Sequence, residues 1–545
     1  MASSRLSVST ATRWLRGLFC AVLLALGAQL IAPTPARADS ADINAAARSV
    51  VRVVIVLRDN SGYDVIGHGT GFAVTPTLIV TNAHVLAPLL EDDRLRLGVV
   101  PAQGRTGYFA RIVRVASDVD LALIELTEQA SLPVATLYTG RVEDGSDVFA
   151  VGYPANVDQA LGQGLNGLVS PQAPVKSRGQ ISGGRSSTEY DTLLHTAPIG
   201  TGNSGGPLLD ACGRVVGVNS FGTISDNGSD SEFYFAVSMR EMLPFLRKAG
   251  VAIHSNALPC RSLAEFDANE TARQMREAAA QQARAEALAA ERSLAAERAA
   301  RRSELESIES SETLMGLAGV MLVLMMLGAI GGMHFYDKRE SEQATACAIF
   351  AVLCLAGSIA AWTARPSVDE IVERSADAER AAMKEVADAQ QPDSLIDKGK
   401  FTCTFRPERS RVTVSTTNDV SVDWSPDGCM AERSQYGLSS GEWARVVVSD
   451  SDQTISINRY DPQARVYSVD RYLVDLSTME AARKARAQYQ APACGAGTDA
   501  ARTLGEDQQA IRALLPDQAN ERLVYACEPA AIAASATDKT DQDAK

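Results

Sequence analysis

Apolar and polar positions divide the chain into four regimes. From Val50 the pattern is that of β-strands. Val50–Leu57 is a nearly continuous apolar run, and Gly67–Val74 and Leu78–Thr81 follow on either side of a Thr-Pro-Thr turn. Shorter runs of the same kind recur at Leu95–Val100, Phe109–Val115, Leu121–Leu126, Val148–Gly152, Gly167–Ser170, Thr192–Thr196, Leu208–Leu209, Val215–Asn219 and Phe233–Val237. Many short strands punctuated by Gly and Pro predict a barrel or a sandwich. Ser238–Ala249 reads as one amphipathic helix closing this region.

The second regime, residues 262–312, is rich in Ala, Glu, Arg and Gln, and Ser262–Ser311 contains neither Gly nor Pro. It predicts a long charged helix of about 75 Å at about 1.5 Å per residue. Large apolar residues are sparse and form no clean heptad seam, so a solvated stalk and a coiled coil both stay open. The third regime holds two apolar runs, Leu314–Met333 of 20 residues and Ala344–Trp362 of 19. Each is long enough to cross a bilayer. With the short loop Tyr336–Gln343 between them, they predict a transmembrane hairpin over 314–334 and 344–363. A helical linker over 367–395 leads to the fourth regime, a β-patterned module at 400–530. Its strands are expected at Arg411–Ser415, Val420–Trp424, Ala444–Val448, Thr454–Asn458 and Val466–Val469, and its helices at Met479–Gln488 and Asp507–Leu515. Residues 531–545 read as a disordered tail.

The N-terminus changes the compartment. Arg5, Arg13 and Arg16 precede the apolar stretch Gly17–Ala32 and the small-residue site Ala36-Arg37-Ala38, so residues 1–38 read as a secretory signal, cleaved or retained as an anchor. Either way the following region is exported. Both flanks of the hairpin then face outward, although Arg298, Arg301 and Arg302 on the outer side run against the positive-inside rule. The net charge of −14 argues against nucleic acid as a partner. Of nine cysteines, Cys20 lies in the signal and Cys347 and Cys354 in an apolar run. Cys212 and Cys260, and then Cys403, Cys429, Cys494 and Cys527, give each exported segment an even number, as an oxidising compartment would. Three pairings are open to the last four. No Cys/His cluster suggests a metal, and no cofactor is expected.

Candidate chemistry centres on Thr201-Gly202-Asn203-Ser204-Gly205-Gly206-Pro207. A serine on a tight glycine loop is exposed, yet its hydroxyl is a poor nucleophile without a base and an orienting carboxylate. Upstream lie His84, in Thr81-Asn82-Ala83-His84, and Asp120, in Asp118-Val119-Asp120-Leu121. The order His, Asp, Ser is that of the chymotrypsin-type triad. Asp118 is the rival for the acid. His68 and His195 are expected to be structural.

Six motifs occur in one order: GHGTGFAVTPTLIVTNAHVL at 67–86, Asp120-Leu121-Ala122, Val151-Gly152-Tyr153-Pro154, Gly167-Leu168-Val169-Ser170, Gly202-Asn203-Ser204-Gly205-Gly206-Pro207 and Phe235-Ala236-Val237. Together they resemble the HtrA/DegP-type branch of the trypsin-like serine proteases. The resemblance covers roughly residues 45–250, within a protease domain expected at 45–255, and lacks the PDZ domain usual in that branch. It implies an all-β two-barrel protease domain, so the chain is expected to be multidomain: this domain, a long helix, the transmembrane hairpin and a small α+β module. It also implies His84 as general base, Asp120 as its orienting acid, Ser204 as nucleophile and the backbone N–H groups of Gly202 and Ser204 as oxyanion hole. Pro198 and Ile199, with the strand Ser220-Phe221-Gly222, would line an apolar substrate pocket, which Asn219 and Thr201 could still make polar. Cys212 is unusual for the branch; a Cys212–Cys260 bridge is expected, with two free thiols as the alternative. The implied protein is a serine endopeptidase acting on protein or peptide substrates at the periplasmic side of a bacterial inner membrane. A catalytically gated sensor or a protein-binding scaffold is the rival reading, and a homo-oligomer stays open.

Overall fold

Neighbouring residues of the first strand face different cores. β1 (Val50–Asp59) sends Val51 and Val53 into one apolar cluster and Val50 into another. Such a strand is buried on both faces, which is why its sequence is an apolar run and not an alternation. This computed structural model describes residues 40–59, 62–186, 190–223, 232–389 and 398–530. The signal expected at 1–38 and the tail expected at 531–545 lie outside the described residues.

From β1 the pairing runs through β2 (Gly62–Ala73), β3 (Leu78–Thr81), β6 (Leu121–Leu126), β5 (Tyr108–Ala116) and β4 (Leu95–Pro101), each bonded to the next, and β4 returns to β1 to close a barrel. Val51, Val53, Ile79, Leu97, Val99 and Ile124 fill it. The second sheet contains β7 (Leu137–Tyr138), β8 (Asp147–Gly152), β9 (Val175–Ser186), β10 (Asp191–His195), β11 (Pro207–Asp210), β12 (Val215–Gly222), β13 (Tyr234–Ser238) and β14 (Ser255–Asn256). The order β11-β8-β9-β10-β13-β12 closes through a β11–β12 pairing, giving a second barrel. Between the barrels, Phe72, Leu121 and Leu123 of the first pack in one cluster with Val151, Leu209 and Val218 of the second. Two helices join that cluster: α1 (Ser40–Ala46) through Ile43, and α2 (Met239–Lys248) through Met242, Phe245 and Leu246. Ser238 caps α2 by accepting from Arg240 N.

The strand expected at Gly167–Ser170 is instead the end of a one-turn helix, Leu165–Leu168. The guanidinium of Arg52 donates to the carbonyls of Gly167 and Leu168, so these groups need no strand partner.

α3 (Leu263–Asp337) joins the charged segment and the first apolar run into one helix of 75 residues. α4 (Ser341–Thr363) and α5 (Val368–Ala389) follow. Residues 271–389 form a separate unit. Within it α3 and α4 approach closely through small residues: Ser358 Oγ donates to Ala318 O at 3.1 Å, and a Cβ on Gly328 would meet Phe350 at 3.2 Å.

The C-terminal region is a nine-stranded sheet ordered β18-β17-β16-β15-β23-β22-β21-β20-β19. In chain order its strands are β15 (Gly399–Phe405), β16 (Val420–Trp424), β17 (Cys429–Met430), β18 (Ser434–Gln435), β19 (Gly437–Ser439), β20 (Glu442–Val448), β21 (Thr454–Asp461), β22 (Val466–Leu473) and β23 (Glu521–Pro529). α6 (Leu476–Arg486) packs Met479 and Ala482 on Val446, Ile455 and Ile457. Residues expected as a strand at Arg411–Ser415 are irregular, apart from a single bridge between Arg411 and Arg522. The amides of Thr413, Val414 and Ser415 all donate to the buried Glu521 carboxylate, which takes the place of a neighbouring strand. The bridges are Cys212–Cys260, Cys403–Cys527 and Cys429–Cys494. Cys212–Cys260 spans 48 residues, worth about 4 kcal/mol on the chain-entropy argument.

The C-terminal sheet docks on the barrel pair within one compact unit. The joint is polar and buried. Arg411 pairs with Asp42 of α1, Asn520 Nδ2 donates to the other Asp42 oxygen at 3.0 Å, and Arg411 Nε donates to Arg261 O at 2.9 Å. The Arg411 and Asp42 side chains are 2% and 1% exposed. Such a pair adds little net stability over apolar packing, but removing one partner strands the other charge. Asp42→Ala is therefore expected to destabilise this unit by about 3–5 kcal/mol, with Arg411→Met in the same chain recovering most of the loss. Denaturant midpoints of the two variants in detergent check this.

Candidate functional site

The residues singled out in the sequence come from four elements around the cleft between the barrels. His84 follows the end of β3 and opens a single 3-10 turn, His84–Leu86. Asp120 ends another, Ser117–Val119, with φ of 51°, a left-handed conformation that Asp tolerates better than most side chains. Asn82 Nδ2 donates to Asp120 O at 2.8 Å and locks that corner. The Asp120 carboxylate then accepts from the His84 amide at 3.1 Å and from His84 Nδ1 at 3.0 Å. With a carboxylate against Nδ1, the neutral ring carries its proton there, which leaves Nε2 as the basic nitrogen. Asp118 is exposed, and among the described residues it has no bond to His84.

A hydroxyl also holds this carboxylate. Ser220 Oγ donates to Asp120 Oδ2 at 2.5 Å. The register of β12 against β13 slips between Asn219 and Phe221, and this bulge leaves Ser220 out of the ladder and aims it at the cleft. Burial pushes the Asp120 carboxyl up, but the bonds from His84 and Ser220 outweigh it and hold the group below the usual carboxylate range.

Ser204 lies on the loop entering β11. Its Oγ donates to Ser220 O at 3.0 Å, and among the described residues no hydrogen bond joins it to His84. Gly202 has φ of 97°, and a Cβ there would lie 2.3 Å from Tyr153 O, so only glycine fits. The amides of Asn203, Gly205 and Gly206 are bonded within the domain, whereas those of Gly202 and Ser204 have no protein acceptor among the described residues. Two unengaged N–H groups flanking the serine can receive a negatively charged oxygen.

Of the residues expected to line a pocket, Pro198 is exposed and Ile199 is partly buried against the second barrel. Phe221 is 44% exposed and stacks on Phe235 with centroids 4.7 Å apart. Ser220 is 5% exposed and belongs with Asp120. No sequence signal pointed to that link, because it arises from the bulge. His68 Nε2 lies 3.0 Å from Tyr153 O, beside the Asp158 carboxylate that pairs with Arg52. His195 is fully buried and stacks on Tyr234 at 6.0 Å, and among the described residues neither ring nitrogen makes a well-formed hydrogen bond. Burial pushes its imidazole down to about 4, only partly offset by the Ala197 backbone.

Residues 69–218 match the family described as trypsin-like peptidase domain. Serine protease HTRA1 of Xenopus tropicalis is 36% identical over 156 residues, 28% of this chain and 31% of that protein. Protease Do-like 5, chloroplastic, of Arabidopsis thaliana is 32% identical over 210 residues, 36% of this chain and 62% of the relative. Magnetosome formation protease MamE of Paramagnetospirillum magneticum is 30% identical over 190 residues, 34% of this chain and 23% of the relative. The chain thus spans less than two thirds of each relative. It carries a trypsin-like peptidase domain whose homologues are HtrA/Do-family serine proteases.

Because His195 is held neutral when folded, the unfolded chain takes up a proton that the native state refuses between about pH 4 and its ordinary value of about 6.5. Stability should therefore fall as pH drops through that window, with up to about 3 kcal/mol due to this residue. Melting temperatures measured from pH 4 to 7 should decline less steeply for His195→Gln than for the unaltered protein.

Proposed function

We propose that the chain is a membrane-anchored serine endopeptidase with its peptidase domain on the extracytoplasmic side, at a bacterial inner membrane. The carrying observation is the Asp120 carboxylate clamped between His84 Nδ1 and Ser220 Oγ, beside a serine loop with two unengaged amides. In this reading His84 Nε2 takes the Ser204 proton as Oγ attacks the scissile carbonyl of a protein substrate. The Gly202 and Ser204 amides receive the developing oxyanion. The imidazolium, stabilised by Asp120, then protonates the leaving amine, and His84 activates the water that releases the acyl group. Ser204 Oγ must first turn from Ser220 O towards His84, a rotation about one side-chain bond.

The anchoring rests on the apolar run of α3 and on α4, the two helices among the described residues that are long and apolar enough to cross a membrane. Three disulfides favour an oxidising compartment. The exposed Phe221 and Pro198 favour apolar substrate side chains. The docked C-terminal sheet favours control of the peptidase by that module. Arg411 reaches Arg261 O, next to the Cys212–Cys260 bridge, and Cys212 lies two residues beyond β11.

Ser204→Ala should reduce cleavage of an unfolded protein substrate by on the order of 10⁶ without altering the melting temperature. It should also abolish labelling by a fluorophosphonate. Proteolysis that persists unchanged in this variant rules out the assignment.

A further inference from the structure

The four peptide planes of the serine loop alternate in what they do. In the 201–202 plane, Thr201 O accepts from Ala155 N at 2.7 Å and Gly202 N–H is unengaged. In the 202–203 plane both groups are tied: Gly202 O accepts from Thr70 Oγ1 at 2.6 Å, and Asn203 N donates to Gly200 O at 2.9 Å. In the 203–204 plane, Asn203 O accepts from Gly206 N at 3.0 Å and Ser204 N–H is unengaged. The 204–205 plane is tied again, with Ser204 O accepting from Thr70 N at 2.9 Å and Gly205 N donating to Asn219 O at 2.8 Å. Thr70 of β2 thus donates to the carbonyl of both tied planes.

Thr70 is itself immobilised. It is fully buried, its hydroxyl accepts from Tyr153 N at 3.1 Å, and its carbonyl accepts from Thr81 Oγ1 at 2.7 Å. Its partners Gly202, Ser204 and Tyr153 flank strands of the second barrel, while Thr70 belongs to the first. Peptide planes are rigid, so fixing alternate planes fixes the direction of the N–H groups between them. The plane at Gly202 needs this restraint most, because a glycine at φ of 97° has no Cβ to resist turning.

We propose that Thr70 is a positioning residue for the acylation step, holding the Gly202 and Ser204 amides in line with the transition-state oxyanion. The proposal rests on the endopeptidase reading above. Without the hydroxyl, Gly202 O and Tyr153 N lose a buried partner and the 202–203 plane keeps only the bond from Asn203 N to Gly200 O, a single pivot about which it can tilt and misdirect the neighbouring donor. Misplacement of one donor acts on the transition state more than on bound substrate.

The test uses the full-length protein in detergent and a peptide that the unaltered enzyme cleaves, with rates divided by sites titrated to completion with a fluorophosphonate. Thr70→Val keeps the N–H and the shape but lacks the hydroxyl; Thr70→Ser keeps both polar groups. The expected result for Thr70→Val is a kcat about 10- to 100-fold lower with KM within about threefold. The inhibition constant of a peptide aldehyde, whose adduct places an oxyanion between the two amides, should weaken by the same factor as kcat/KM. Thr70→Ser should stay within about threefold of the unaltered enzyme. If Thr70→Val does not fold, Thr70→Ala is read the same way. A kcat per titrated site that is unchanged in the variant lacking the hydroxyl overturns the proposal. So does a loss that Thr70→Ser shares equally, or an aldehyde that binds as before. An unaltered protein without Ser204-dependent cleavage sinks the endopeptidase reading, and this proposal with it. An active one with an unaffected Thr70→Val sinks the positioning role alone.

Discussion

A peptide plane cannot turn its N–H towards a substrate without turning its carbonyl into the protein. That constraint organises the region around Ser204. Each inward carbonyl of residues 201–204 requires a buried donor, and four separate groups supply one: Ala155 N, Thr70 Oγ1, Gly206 N and Thr70 N. The glycines follow from the same requirement, because Cβ atoms at 202 and 205 would lie 2.3 Å from Tyr153 O and 2.2 Å from Thr70 O. The apolar cluster shared by the two barrels, from Phe72 to Val218, then keeps β2 and the serine loop in register. Asp120 answers a parallel demand on the other side of the cleft. Its left-handed backbone and its bonds from His84 and Ser220 direct one carboxylate at two elements.

The rest of the molecule attaches to this arrangement from behind. β11 leaves the serine loop and ends at Asp210, whose carboxylate accepts from the amides of Cys212 and Arg214. Arg214 reaches Leu258 O, Cys212 is bridged to Cys260, and Arg261 O receives the Arg411 guanidinium of the C-terminal sheet. A run of covalent and charge-assisted contacts thus leads from the last module to the strand behind the serine.

Local patterns carried much of this in the sequence, and long-range ones did not. His84, Asp120 and Ser204 stand out because each sits in a short motif whose backbone demands are local: a strand end, a tight turn, a glycine loop. Ser220 does not, because its direction depends on a bulge that only pairing with β13 creates. Thr70 reads as one more residue in a glycine-rich strand, since its partners Tyr153 and Gly202 lie 83 and 132 residues away. β9 carries no strand signal, because Lys176, Ser177, Arg178 and Gly179 give it no apolar alternation. At Val412 and Val414 the reverse occurred. Alternation suggests a strand, yet the amides of Thr413, Val414 and Ser415 belong to the Glu521 carboxylate. The length and apolarity of α3 and α4 were plain from composition, because for such segments composition is the signal.

The pairing of Asp42 with Arg411 has a further meaning for biosynthesis. The two residues are 369 positions apart, and Asn520, the other partner of Asp42, is 478 away. A chain emerging from the ribosome presents its first helix long before either partner exists. Domains fold largely in the order in which they are made, so the barrels are complete while Asp42 still faces water. Only a chain extended through β23 supplies the groups that let this carboxylate be buried. The joint therefore acts as a record of completion: a prematurely ended chain keeps an open, charged face where the finished one has a closed seam.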